Sequence, residues 1–367
     1  MTVRRAVLLV ALAAVATASV YGVFGNRRED AVVDAPRFGN VVSLAVLGDS
    51  GSHSYQDHIL MPVSSAYRGG TFRPTTWQWT EVIAQMRGSF VDQGEWGVWG
   101  TRRTIARAMR MLGWERRTPR KQDFALNFAV SGAGCQDLMS GNRQAPQLLL
   151  VMNGDPERWR NGIVSIKIGA ANIGQTAALD RFAAEGPTPP VRSEILQCVE
   201  WIREAMDLIR RDHPLTRFVL VGITTVADDP PNFDRWIAER ERLNISSALD
   251  VFDEGLRAIA RQDSRVVFLD DRAWVRQTWG ERDASGRPAY RSVHLGGRTA
   301  VAYTMGDEPI HAIVADGHAG TAWNALWAQH FVGLLNSAFG LQIPPISTDE
   351  VAGVVDPTGV FGLRPTP

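Results

Sequence analysis

Two residue types are scarce in this chain of 367 residues: cysteine occurs twice, and lysine occurs only as Lys121 and Lys167. Two cysteines cannot build a disulfide framework, and the spacing of Cys135 and Cys198 matches no metal-ligating motif. A single disulfide between them stays open, because two cysteines in a chain this long need not pair. Arginine supplies nearly all positive charge, and 39 basic residues balance 39 acidic ones. A formal net charge of zero argues against a protein that binds nucleic acid through its phosphates.

Long apolar runs are absent except at the N-terminus. Two arginines precede an apolar stretch over 6–24, and Ala16-Thr17-Ala18 has the small residues of a cleavage site. This pattern predicts that 1–25 is a secretory signal peptide. An uncleaved signal anchor is the alternative, since about 20 apolar residues can span a bilayer. Either segment would export the rest of the chain, as a secreted, periplasmic or membrane-anchored protein, and the polar residues 26–40 are predicted to be a linker.

Short apolar, β-branched runs alternate with segments of helical spacing along the rest of the chain, which is typical of a parallel sheet covered by helices. We therefore expect an α/β fold, a three-layer α/β/α sandwich with a central five-stranded parallel sheet, over 41–340. The tail 341–367 is rich in Pro and Gly and is expected to lie on the surface. The predicted strands cover 41–47, 124–130, 163–168, 218–223 and 266–269. The predicted helices cover 77–86, 101–112, 144–152, 193–211, 234–261 and 319–339, with a loop at 88–100 and a hairpin within 283–307.

Three of the predicted strands end in turns of small or polar residues. Ser50 follows the first strand, Gly132 the second and Asn172 the third. Right-handed crossovers bring the carboxyl ends of parallel strands to one edge, where α/β proteins build their sites. The three residues are therefore expected to lie near one another.

A serine at such an edge can act as a nucleophile if a base, an orienting group and oxyanion donors accompany it. His318, in the loop before the last predicted helix, is the candidate base, and Asp316 the candidate orienting acid. Asp307 or a backbone carbonyl is an alternative orienting group. His53 is an alternative base, although its place so close to Ser50 in sequence makes it hard to aim. The backbone N–H groups of Ser50 and Gly132 and the side-chain amide of Asn172 are the candidate oxyanion donors.

These motifs, in this order, resemble the SGNH/GDSL hydrolase superfamily of esterases and lipases. The four matching blocks are Gly48-Asp49-Ser50, the segment from Asn127 to Gly132, the turn Gly169-Ala170-Ala171-Asn172 and the pair Asp316 and His318. The third block departs from the family's Gly-x-Asn-Asp by placing Ala171 at the position of the Asn. The Asp–His spacing in the fourth block is one residue short.

The resemblance implies a flavodoxin-like sandwich and an exported esterase that uses Ser50, His318 and Asp316, with Gly132 and Asn172 in the oxyanion hole. It implies no cofactor and no metal. The substrate would be a small-molecule or glycan ester, such as an acetyl ester on a carbohydrate, with no nucleic-acid partner and membrane contact only through the N-terminal segment. Two alternatives stay open: a binding protein that keeps the fold but has lost catalysis, and an O-acyltransferase. Trp96 and Trp99, in the segment after the nucleophile, could contact substrate or pack in the core.

Overall fold

Ten strands and nine helices are assigned in the computed structural model, which describes residues 41–62, 67–224 and 226–365. All of these residues belong to one compact unit. The predicted signal or anchor (1–25) and the linker (26–40) lie outside the described residues.

The strands are β1 (Val42–Gly48), β2 (Val91–Asp92), β3 (Trp96–Trp99), β4 (Lys121–Phe124), β5 (Ile163–Lys167), β6 (Arg217–Val221), β7 (Val266–Leu269), β8 (Val293–His294), β9 (Ala300–Met305) and β10 (His311–Ile313). The helices are α1 (Trp79–Arg87), α2 (Arg103–Met111), α3 (Gln144–Gly154), α4 (Thr176–Glu185), α5 (Pro189–Asp212), α6 (Glu239–Ala260), α7 (Asp271–Trp279), α8 (Thr321–Phe339) and α9 (Thr348–Val355).

The central sheet has five parallel strands in the order β2-β1-β5-β6-β7, as the α/β prediction requires. Strand β1 is buried on both faces, because Ala45 and Leu47 pack into one layer of helices while Leu44 and Val46 pack into the other. The first layer contains α3, α4, α5 and α6, and the second contains α1, α7, α8 and α9. This alternation confirms the three-layer sandwich.

The prediction that 124–130 is a regular strand of the central sheet was wrong. The predicted loop at 88–100 was wrong as well, because it contains β2 and β3. Strand β4 turns away and pairs antiparallel with β3. The chain then runs beside β1, where Phe128 N–H donates to the Val46 carbonyl (2.8 Å) and Val130 N–H to that of Gly48 (3.1 Å). A single bridge, between Val46 and Asn127, is all that is assigned there. The edge beside β1 is therefore shared by β2 and this short extended segment.

Asn127 explains why the ladder is so short at this edge. Its Oδ1 accepts from Ala129 N–H (3.0 Å), and its Nδ2 donates to the Ser52 carbonyl (2.8 Å). Arg117 covers the Asn127 carbonyl from outside (2.5 Å). Side chains thus satisfy backbone groups that a neighbouring strand would otherwise bind, and the segment is held in place without regular pairing.

The expectation that 341–367 lies on the surface is corrected by its packing. Ile343, Ile346 and Leu363 are buried together with the inner face of α9, in the same layer as α8. Helix α9 begins with a capping box in which Ser347 Oγ accepts from Glu350 N–H (3.2 Å). The apolar residues between the prolines therefore pack this tail into the core, although its Pro and Gly content is typical of a surface segment.

Cys135 and Cys198 form a disulfide that joins the turn after Gly132 to α5. Among the described residues, no helix combines the length and apolarity that crossing a bilayer requires.

Candidate active site

Asp49 fixes the turn that carries Ser50. Its buried carboxylate accepts from Gly51 N–H (2.9 Å) through one oxygen and from Gly169 and Ala170 N–H (both 3.2 Å) through the other. Burial raises the pKa of Asp49, although these N–H groups and the nearby Lys167 charge oppose that shift. The turns after β1 and β5 are therefore tied together beneath the candidate nucleophile.

Ser50 is half-buried and lines a cavity of about 780 Å³ together with Asp316 and His318. Its carbonyl accepts from Gln78 Nε2 (3.2 Å). Its hydroxyl and its backbone N–H have no hydrogen-bond partner in the described part of the chain. In that same part, no hydrogen bond joins Ser50 to His318. The two predicted residues thus share one cavity, and Oγ is free to meet a substrate carbonyl.

Asp316 contacts the imidazole of His318, so a one-residue spacing is enough for the two side chains to meet. Its Oδ1 lies 3.0 Å from His318 Nδ1 and also accepts from His318 N–H (3.2 Å). Gly317, between them, adopts a φ of 82°, which suits glycine and makes the tight loop possible. Asp307, the alternative acid, accepts from Ala315 N–H (3.1 Å) and makes no contact with His318.

Arg68 is a site residue that the sequence did not indicate. Its Nη1 lies 2.6 Å from Asp316 Oδ2, and its backbone N–H donates to that oxygen too (2.9 Å). Its Nη2 donates to Ser131 Oγ (3.3 Å), and the whole residue is buried. Burial raises the pKa of Asp316, but the His318 hydrogen bond and the Arg68 charge overcome it and hold that pKa well below its usual range. No local motif marks Arg68, because its partners are about 250 residues away.

Arg68 Nη1 also lies 2.8 Å from His318 Nδ1. A guanidinium only donates hydrogen bonds, so this contact favours a neutral ring with its proton on Nε2. The Asp316 contact favours the opposite tautomer, with the proton on Nδ1 and a free acceptor at Nε2. Only the second tautomer can take a proton from Ser50 through Nε2. The balance between these two contacts therefore governs whether His318 can serve as a base.

His53 is not available as a base. It is fully buried, its Nδ1 accepts from Ser131 N–H (3.0 Å), and its Nε2 lies 2.9 Å from Asp57 Oδ2. Burial and the Lys121 charge lower its pKa, which keeps the ring neutral. His53 thus anchors the turn that leads to Gly132.

Gly132 lies in that turn with a φ of 80°, and its N–H has no partner in the residues that the structure describes. Asn172 is held by the following turn: its Oδ1 accepts from Cys135 N–H (2.7 Å) and its Nδ2 donates to Gln136 Oε1 (3.3 Å). Neither residue lines the 780 Å³ cavity. Asn172 retains one N–H beyond the bond to Gln136, so the oxyanion role of both residues stays a prediction.

One part of the lining of the same cavity is polar. It includes Asp228 and Asp229, with Arg282 and Tyr303. Burial, reinforced by the Asp228 charge, raises the pKa of Asp229 to about 7. Tyr303 Oη lies 3.4 Å from Asp229 Oδ1. The two Arg282 Nη atoms already donate to the backbone carbonyls of Phe233, Gly286, Ala227 and Asn232. The two carboxyl groups are therefore what this part of the lining offers to a polar ligand.

Trp96 and Trp99 are the first and last residues of strand β3. Trp96 stacks edge-on against Phe124, and Trp99 lies under the Arg117 guanidinium. Neither lines the 780 Å³ cavity, whereas Trp323 of α8 does.

No protein-family model and no curated protein matches this chain. Among solved structures, the chain aligns with a protein from Parabacteroides merdae that is described as a GDSL-like lipase. The two are 12% identical over 84% of this chain and 100% of that chain, with a TM-score of 0.38. A similarity this small carries no information about the reaction.

Proposed function

We propose that this chain is an exported serine esterase that hydrolyses a carboxylic ester through an acyl-enzyme. One observation carries the proposal: Ser50 and the Asp316–His318 pair line the same cavity at the carboxyl edge of the parallel sheet. A nucleophile, a base and an orienting acid in one cavity is the arrangement that acyl transfer requires.

In this mechanism Ser50 Oγ attacks the ester carbonyl while His318 Nε2 takes its proton. Asp316 holds the proton on Nδ1, which requires Arg68 to bind Asp316 rather than the ring. The Ser50 and Gly132 N–H groups and the Asn172 amide stabilise the oxyanion, and His318 returns its proton to the leaving alkoxide. A water molecule, deprotonated by His318, then attacks the acyl-serine, and His318 returns that proton to Ser50 Oγ as the acid is released. The scheme uses no metal and no cofactor.

The polar part of the cavity lining favours a hydroxyl-rich substrate, such as an acetyl ester on a carbohydrate. Asp228 and Asp229 provide hydrogen-bonding groups there. The Cys135–Cys198 disulfide supports an oxidising compartment outside the cytosol, in agreement with the predicted N-terminal export segment.

A second candidate function is binding without catalysis. The close approach of Arg68 Nη1 to His318 Nδ1 (2.8 Å) favours it, because that contact stabilises the tautomer that cannot accept a proton from Ser50. Transfer of the acyl group to a sugar is the third candidate, and product analysis with glycan acceptors distinguishes it from hydrolysis.

Replacing the nucleophile tests the proposal. Ser50→Ala should lower the hydrolysis of p-nitrophenyl acetate by at least about 10³-fold, since it removes covalent catalysis. A fluorophosphonate probe should label wild-type protein on the Ser50 peptide and leave Ser50→Ala unlabelled. Ser140→Ala is the matched control, because Ser140 is exposed and bonds only within its own turn.

Full activity in Ser50→Ala would refute the mechanism. Binding of a glycan ester by a wild-type protein that neither hydrolyses nor transfers the acyl group would favour the binding function.

A further inference from the structure

Helix α2 and the turn after it lie on the surface with almost nothing buried. Within the helix only Ala106 is buried. Met111, Leu112 and Trp114 are 79%, 69% and 51% exposed, and Ile105 is 39% exposed. Large apolar side chains grouped in this way mark an interaction surface rather than ordinary scatter.

The same surface is strongly basic. Residues 96–120 contain seven arginines and one acid, Glu115, which pairs with Arg143 (2.9 Å) and Arg110 (3.6 Å). Four of the arginines are exposed and have no carboxylate partner within the described ranges. They are Arg102, Arg103, Arg107 and Arg120. An excess of unpaired cations beside exposed apolar residues is typical of an interfacial helix on an anionic bilayer.

A groove of about 750 Å³ connects this surface with the candidate base. Its lining includes the exposed apolar residues Ile59, Leu60 and Tyr67 and the arginines Arg102 and Arg103. Ser131 and His318 line it as well. The apolar lining residues and the unpaired arginines Arg102, Arg103 and Arg120 therefore surround an opening that reaches His318. Since α2 begins at Arg103, this opening borders the basic and apolar surface of the helix.

We propose that this face, made of the exposed residues of α2, the turn through Trp114 and the rim of the groove, docks on an anionic lipid bilayer. Charge complementarity supports a lipid surface, since guanidinium groups would meet lipid phosphates while Met111, Leu112 and Trp114 enter the acyl boundary. Nucleic acid offers the phosphates but no apolar phase for those side chains. The proposal does not depend on the esterase mechanism.

A fluorescent probe on the face tests docking in the full chain. An environment-sensitive NBD label is attached to the cysteine of Met111→Cys. Leu196→Cys is the matched control, because Leu196 lies on α5 and is 43% exposed. The native cysteines are disulfide-bonded and do not react with the label. Because the N-terminal apolar segment can itself enter lipid, both proteins are reconstituted into vesicles of phosphatidylcholine alone and into vesicles with an equal share of phosphatidylglycerol.

The label at 111 should gain emission and shift to the blue in phosphatidylglycerol vesicles but not in neutral ones, and the label at 196 should not respond. Adding Arg103→Gln and Arg107→Gln should reduce the docked-to-undocked ratio by about 25-fold, at about fivefold for each arginine lost near an anionic surface. Equal responses at 111 in both vesicle types, equal responses at 111 and 196, or no effect of the arginine changes would overturn the proposal. A response that depends on protein concentration without vesicles would instead indicate self-association and would also overturn it.

Discussion

Arg68 shows how one side chain can link two functions in the candidate site. Its backbone N–H and Nη1 both bind Asp316 Oδ2, while the same Nη1 approaches His318 Nδ1. The guanidinium therefore holds the Asp316 carboxylate in place and at the same time competes with that carboxylate for His318 Nδ1. A substrate that drew Nη1 away from His318 would favour the tautomer that catalysis needs.

Arg68→Gln should shift the acid-side loss of stability to higher pH. The pKa of Asp316 is depressed in the folded state, so it contributes stability above the pKa of the unfolded chain, about 3.9, and loses it as pH falls. Without the Arg68 charge that pKa rises toward its ordinary value, and the stability gained at neutral pH shrinks. Melting temperatures between pH 2 and 7 measure the change. Arg102→Gln, which removes an exposed arginine, should leave the profile unaltered, and an unchanged profile for Arg68→Gln would show that Arg68 does not act on Asp316.

At the scale of the secondary-structure elements, the turn after β1 depends on a close backbone approach. A Cβ placed on Gly48 would lie 2.4 Å from the Lys167 carbonyl oxygen of β5. Only glycine fits there without separating the two strands whose ends carry Ser50 and the turn at Gly169.

Gly48→Ala should therefore destabilise the protein by about 1–3 kcal/mol, as overpacking does in a rigid core, and should displace Ser50. Urea unfolding measures the first effect, and the rate of fluorophosphonate labelling measures the second. Gly333→Ala in α8 is the matched control, because its new Cβ meets nothing within 4 Å. That change should be stabilising by about 0.5–1 kcal/mol, since alanine is the better helix former. A Gly48→Ala protein as stable and as reactive as wild type would refute the packing argument.

At the scale of the whole molecule, a buried ion pair joins the sheet to the second helical layer. Lys167, at the end of β5, pairs with Asp271 at the start of α7. Trp327 Nε1 of α8 donates to Asp271 (2.6 Å), and the Lys167 ammonium lies 4.9 Å from the Trp327 ring. One strand and two helices are thus connected by three side chains beneath the turn of Ser50.

Asp271→Asn should cost about 3–5 kcal/mol of unfolding free energy, because it leaves the Lys167 charge buried without its counter-ion. The double variant Lys167→Met, Asp271→Leu should recover much of that loss, since both charges of the pair are then removed together. Urea denaturation of the three proteins is the measurement. If the double variant were no more stable than Asp271→Asn, the loss would come from the Trp327 hydrogen bond or from packing rather than from the buried charge.

Much of the fold was predictable because local pattern and tertiary role agree. Strands β1, β5 and β6 are buried on both faces, and β7 is buried at Val266 and Leu269. The apolar runs of all four strands are readable in the sequence. Helices α5 and α8 likewise have long periodic patterns. The predictions failed where short elements depend on distant partners: α4 and α7 were missed, β2 has only two residues, and the segment at 124–130 exchanged regular pairing for side-chain hydrogen bonds.

The sequence by itself indicated four of the five central strands, β1, β5, β6 and β7, and the small or polar residues that follow β1 and β5, because apolar runs and small-residue turns are local properties. It also supplied Ser50, Asp316 and His318 as candidates. Only the tertiary structure brought Arg68 to the Asp316–His318 pair and placed the basic, apolar face of α2 around the groove that ends at His318. Those contacts join residues far apart in the chain, and no local pattern encodes them. They form only when the loops pack together at one edge of the sheet.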